Sequence, residues 1–207
     1  MIREFFSFEL REQLRSPLLW LLSALFGLLA FGAVASDDIQ IGGAIGNVYR
    51  NAPVVIVQYM GLFTLLGMLI IGVFVSNALL RDFELSTADL IFSNPVRKRD
   101  FLVGRFLAAL SASILVYIII ALFIFIAQFM PWIDPARLGK ISITPFLWSM
   151  LVMVLPNVLF TGALLAFFAV TSRSILWVYI GILAFLVLFG ISGSLLAKLD
   201  NVWLAAL

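Results

Sequence analysis

Reactive side chains are scarce in this sequence and concentrate in one segment. From Arg81 to Arg105 it reads Arg-Asp-Phe-Glu-Leu-Ser-Thr-Ala-Asp-Leu-Ile-Phe-Ser-Asn-Pro-Val-Arg-Lys-Arg-Asp-Phe-Leu-Val-Gly-Arg. Ser86 followed by Asp89 has the form of a capping box, and Phe83, Thr87, Leu90 and Ile91 recur at the spacing of one helix face. The pattern predicts a short amphipathic helix lying along a membrane surface. It stops at Asn94, because the residue before Pro95 is pushed out of helical geometry. The chemistry of such a segment is recognition. Its ridge either seats in a groove of a soluble partner, or it is an interfacial connector whose Arg97-Lys98-Arg99 triplet sets orientation and touches anionic lipid.

Bond-making chemistry finds little support elsewhere. The chain has no His and no Cys, which removes disulfides, haem ligation, imidazole or thiolate zinc sites, and Ser-His or Cys-His dyads. The Gly139-Lys140 pair is followed by Ile141 and lacks the upstream glycine of a phosphate-cradling loop. No catalytic residue, metal site, cofactor or nucleic-acid partner is expected in this chain.

The elements that must position the charged segment are membrane helices. Hydrophobic residues make up 64% of the 207 and charged residues 12%, about half the share in a soluble domain. Runs without Asp, Glu, Lys or Arg cover residues 16 to 36, 51 to 80, 106 to 133, 141 to 172 and 174 to 197. Each reaches the ~20 residues a helix needs to cross a hydrocarbon core. Stretches such as Ile118 to Ile126 do not alternate, so a β-barrel is excluded. The expected fold is all-α, a polytopic membrane helix bundle in a single domain over 1–207. Its five spans lie at about 17–36, 53–80, 106–130, 145–171 and 174–196, with 81–105 as a cytoplasmic loop. Trp20, Trp132, Trp148, Trp177 and Trp203 each fall near a span end, as an interfacial belt requires.

Basic residues set the orientation, since they accumulate on the cytoplasmic side. Arg3, Arg11, Arg15, Arg81, Arg97, Lys98, Arg99, Arg105 and Arg173 fall on one side, and Arg50, Arg137, Lys140 and Lys198 on the other. The N-terminus is therefore expected to be cytoplasmic. Residues 1–15 read as an interfacial helix, with Ser7, Arg11, Glu4 and Arg15 on a polar arc and Glu9 and Glu12 interrupting the apolar one. The other reading of this segment is a charged topogenic tail. Ser16-Pro17 supplies an N-cap and a first-turn proline for the first span. Ala33 to Ser36 imitates a signal-peptidase site, but the acidic N-terminal segment is unlike a signal peptide and the span is expected to stay as an anchor.

Within the fourth run, Pro156 removes the backbone bond to Val152 and should kink the helix. Asn157 beside it either bonds a neighbouring helix across a static kink, or lines a path at a hinge.

Arg81-Asp82, then Glu84, Thr87 and Leu90, then Pro95-Val96-Arg97, then Phe101 and Gly104-Arg105 at the head of the third span, form a pattern that resembles the permease subunits of type-2 ABC exporters. The likeness in span order extends over nearly the whole chain. Gln40 to Asn47, Arg97 to Asp100, Met130-Pro131-Trp132 and Leu199-Asp200-Asn201 are most similar to the N-terminal permease segment of long bacterial permeases fused to a zinc aminopeptidase domain. No His-Glu-x-x-His occurs here, so no peptidase activity is assigned to this chain.

The resemblance implies a bacterial inner-membrane, multi-pass protein that works with a cytosolic ABC ATPase and a second permease half, in a homodimer or otherwise. It implies that 81–105 is the coupling loop, with Glu84, Thr87, Leu90, Ile91, Pro95 and Arg97 at the ATPase contact. It also implies six spans, so a chain with five is expected to be a fragment or a truncated product. The competing reading is a non-transporting membrane scaffold, or an anchor for another complex or a C-terminal domain.

Overall fold

The computed structural model describes residues 1–36, 49–85, 93, 97–133 and 135–205. Helix α1 (Ile2–Arg15) ends where Ser16 turns extended, and α2 (Pro17–Ala35) starts at once. The Ser16 hydroxyl accepts the Leu18 N–H at 3.3 Å, and Pro17 takes the first helical position, as the sequence anticipates. Trp20 donates its indole N–H to the Leu14 carbonyl at 2.9 Å across this turn.

The second span is a bent pair, α3 (Pro53–Leu66) and α4 (Met68–Glu84), meeting at Gly67 at an angle of 42°. Then come α5 (Lys98–Ala127), the short α6 (Thr144–Ser149) and, beyond a wide turn, α7 (Leu155–Ser172), followed by α8 (Ile175–Ala205). Among the described residues, four helices are long and apolar enough to cross a membrane, and the bent pair makes a fifth when counted as one span. The chain is thus a polytopic helical bundle, with no strand among the described residues.

Regular helix runs past the charge-free stretches at both roots of the charged segment. The fourth helix carries on through Arg81, Asp82 and Glu84, and the fifth starts at Lys98, well before Arg105. Charge does not break the helices there because the buried charges are paired.

Helix α5 is the axis of the bundle, packed by α1, α2, α4 and α7. Its small residues Ala108, Ala109, Ala112 and Ser113 are buried, which lets neighbouring backbones approach closely. Gly104 lies under α1, where a side chain would start 2.8 Å from both the Ile2 carbonyl and the Phe5 Cβ. Phe123 of α5 covers Gly27 of α2 in the same way.

Pro156 is accommodated without interrupting its span. Met150–Val154 form one π-helical turn, in which the Leu155 N–H reaches back to the Met150 carbonyl. This widening re-pairs backbone groups next to the proline, and the span runs from Thr144 to Ser172 as a whole. The Arg173–Ser174 turn follows, with Arg173 in the left-handed region at φ 51°. Its guanidinium stands 5.3 Å from the centre of the Phe83 ring. That contact places Arg173 at the same end of the bundle as Arg81 and Arg105.

At the opposite end, three segments converge on the last turn of α2. Its carbonyls of Ala33, Val34 and Ala35 accept from Tyr59 Oη at 3.1 Å, Arg50 Nη1 at 2.8 Å and Trp132 Nε1 at 3.0 Å. A helix C-terminus leaves such carbonyls without intrahelical partners. Asn51 braces the same end by exchanging two bonds with the Gly139 backbone, at 2.9 and 2.7 Å.

Candidate functional site

The charged residues at the foot of the bundle form one cluster. Glu9 of α1 is fully buried, with Oε2 3.2 Å from Arg81 Nη2 and 3.6 Å from Arg105 Nε. Its Oε1 accepts from Gln13 Nε2 at 3.3 Å. Arg105 Nη1 meets Asp82 Oδ2 at 2.6 Å and donates to the Ala78 carbonyl at 2.9 Å. Glu12 adds a looser pair to Arg81 at 3.7 Å, at the rim. The Arg105 guanidinium also lies 4.4 Å from the centre of the Phe101 ring, which packs edge-on against Phe5.

Two guanidiniums and two carboxylates balance in the buried part of this cluster. Desolvation works against each of them, and the pairing offsets it. Burial pushes the Glu9 carboxyl above its ordinary value of 4.5, while Arg81, Arg105 and the Gln13 bond pull the other way. Mechanically, the cluster ties the last turn of α4 and the first turns of α5 to the middle of α1. The segment between Leu85 and Arg97 leaves α4 just after Arg81-Asp82 and enters α5 ahead of Phe101 and Arg105. A displacement of that segment therefore acts on α4 and α5 at their roots, and through Glu9 on α1.

A second feature lies within the spans. Helices α3, α7 and α8 and the π-helical turn enclose a groove of about 520 Å³. Asn157 lines it and donates to Thr64 Oγ1 at 3.2 Å, while Thr64 donates in turn to the Gly61 carbonyl at 2.6 Å. The wall is otherwise mostly apolar, with Val54, Leu62, Met153, Phe160 and Phe189 among its residues.

The sequence profile of a family described as ABC-2 family transporter protein matches residues 6–202, nearly the whole chain. The chain belongs to the ABC-2 transporter family. Neither the curated proteins nor the solved structures yielded a match. As an ABC-2 family member it is a permease-type membrane subunit, a transport domain that is not itself catalytic. Members of the family typically pair with ABC ATPases.

In this ABC-2 permease the residues expected at the ATPase contact are only partly placed. Glu84 is the last residue of α4 and Arg97 caps α5, both exposed. Thr87, Leu90, Ile91 and Pro95 lie outside the described residues. Pro156 and Asn157 occupy the first turn of α7, and Asn157 both bonds another helix and lines the groove. Sequence reasoning did not find the Glu9–Arg81–Arg105–Asp82 cluster. The available signal was Glu9 itself, a carboxylate on the otherwise apolar arc of α1.

Proposed function

We propose that this chain is the membrane-spanning subunit of an ABC transporter in a bacterial cytoplasmic membrane, coupled through its cytoplasmic loop to a separate ATPase. The observation that carries the reading is the buried ion-pair cluster, which joins α1, α4 and α5 at the roots of that loop. A loop anchored in this way passes force from a docked ATPase into several helices at once. Glu84, Thr87, Leu90, Ile91, Pro95 and Arg97 make the contact. The N-terminus is cytoplasmic, which puts Arg15, Arg81, Arg97 and Arg173 on the side rich in basic residues.

A second permease half, in a homodimer, covers part of the membrane face of α7 and α8. In support, Leu159, Phe167, Leu183 and Val187, none of which lines the groove, are exposed there. The likeness of Gln40 to Asn47 and Met130 to Trp132 to long permeases supports a place in that subgroup, with any aminopeptidase outside this chain.

The test is affinity purification of the gene product in mild detergent, with and without Thr87→Ala and Leu90→Ala. A cytosolic ATPase recovered in stoichiometric amount, whose binding and stimulation fall in the variants, is the expected result. Recovery of membrane partners alone would sink the reading and leave a scaffold.

A further inference from the structure

The groove holds a polar group in an unusual setting. Asn157 is exposed on the membrane face of α7, yet among the described residues only one of its hydrogen-bonding positions is used, by the bond to Thr64. A primary amide offers two donors and a carbonyl acceptor. Leaving these unmet in hydrocarbon is costly. Thr64 is buried, so Asn157 reaches from the groove toward a hydroxyl at its floor.

The depth of this pair is set by the helix that carries Thr64. Val54 stands in the first turn of α3, and Thr64 lies ~15 Å further along at ~1.5 Å per residue, close to half of a ~30 Å hydrocarbon core. The groove therefore runs from the bilayer edge to its middle. Among the described residues no charged side chain lines it, and its volume of about 520 Å³ fits a single molecule of modest size. The walls are irregular where the site needs space: the break at Gly67 lies beside Met68 and the π-helical turn carries Met153.

We propose that this groove binds an uncharged, elongated hydrocarbon bearing a hydroxyl group, with the hydroxyl paired to Asn157. A hydroxyl both donates and accepts, so it satisfies the amide carbonyl and the second amide N–H in turn. A charged headgroup meets no counter-charge here, and a phospholipid keeps its polar groups ~15 Å away at the interface. The apolar walls, from Val54 to Phe189, take the hydrocarbon part, and Gln58 and Thr161 are the other polar side chains of the lining. This deepens the permease reading, and rests on it only in treating the bound molecule as cargo.

The test uses the full chain in nanodiscs without an ATPase, and a long-chain primary alcohol carrying a diazirine on its tail. Photolabelling should be saturable and should map to the 153–161 and 185–189 segments. The unmodified alcohol should compete with it, and an alkane of equal length should not. Gly61→Phe, which fills the groove, should abolish labelling with helical content unchanged. Asn157→Leu should weaken it about threefold, the size of one hydrogen bond in a membrane.

Non-saturable labelling, or equal competition by the alkane, overturns the proposal. Equal labelling by a photoactivatable phosphatidylcholine would do so too, making the groove an annular lipid site. Cross-links between copies through Phe160 or Phe189 that exclude the alcohol would assign it to a dimer face. Failure here leaves ATPase coupling standing, and loss of coupling in the loop variants leaves this binding standing.

Discussion

The guanidinium of Arg105 meets the carboxylate of Asp82 at 2.6 Å, closing the gap between the two helices that flank the charged loop. Both residues are almost wholly buried, so neither charge falls back on water when its partner is lost. Arg105→Met alone takes from Asp82 its partner at 2.6 Å and weakens the hold on Glu9. Removing one partner of a buried pair costs about 3–5 kcal/mol, whereas replacing both with apolar groups is often near neutral. Arg105→Met is therefore expected to lower the unfolding free energy in mixed detergent by that amount, and Asp82→Leu added to it should restore a large part. The double variant should nonetheless lose ATPase stimulation, because packing replaces the stability of the link and not its geometry. A double variant as unstable as Arg105→Met would contradict this account.

Glu9 gives the cluster a pH dependence whose sign follows from burial. Its folded pKa lies above 4.5, so between that value and the folded pKa the folded chain holds the proton more tightly than the unfolded chain. Its contribution to stability is full below pH 4.5 and is lost as pH rises through the folded value. Glu9→Gln imitates the protonated state and removes the slope. Unfolding curves of the two forms should nearly coincide in acid and separate toward neutral pH, with the Gln form the more stable. The opposite order at neutral pH would mean that attraction to Arg81 and Arg105 outweighs desolvation.

The legible parts of this fold were those written in local runs. Charge-free stretches marked the spans, and Ser16-Pro17 marked the turn between α1 and α2, because each signal lies within a few residues of its effect. Glu9 was visible only as an anomaly on an apolar arc, since Arg81 and Arg105 lie far along the chain and only the packing of α1 on α5 brings them together. Pro156 announced a distortion, but whether it becomes a kink or a widened turn depends on packing that proline cannot specify. The break at Gly67 was not legible, because Gly61, Gly67 and Gly72 look alike in sequence and only packing tells them apart, with Tyr117 against Gly67 and Ile182 against Gly72.

The three-way cap on α2 yields a graded expectation. Tyr59 is buried and its hydroxyl serves the Ala33 carbonyl, whereas Trp132 is 63% exposed, where a carbonyl that loses its donor can turn to solvent. Tyr59→Phe leaves a buried carbonyl unmet and should cost about 1–3 kcal/mol, and Trp132→Phe less than about 1 kcal/mol. Unfolding measured for both singles and the double checks the order. An equal cost for the two would show that water does not reach the Ala35 carbonyl.

Gly67 and Gly61, on the same bent span, should respond in opposite ways to alanine. A side chain at Gly67 would begin 2.6 Å from the Tyr117 ring carbon that bears the hydroxyl and 2.8 Å from the Phe63 carbonyl. Tyr117 is fully buried and Phe63 offers backbone, so neither yields cheaply. Gly67→Ala is expected to cost about 1–3 kcal/mol by overpacking, and Tyr117→Phe added to it should recover only part, because the ring carbon remains. At Gly61 the nearest atom is the Met153 methyl at 3.5 Å, an ordinary contact with a flexible side chain. Gly61→Ala should therefore be neutral or stabilising by up to about 1 kcal/mol, since alanine favours the helix. Detergent unfolding of the two alanine variants side by side decides the matter, and a similar cost at both positions would mean that the break is not held by Tyr117.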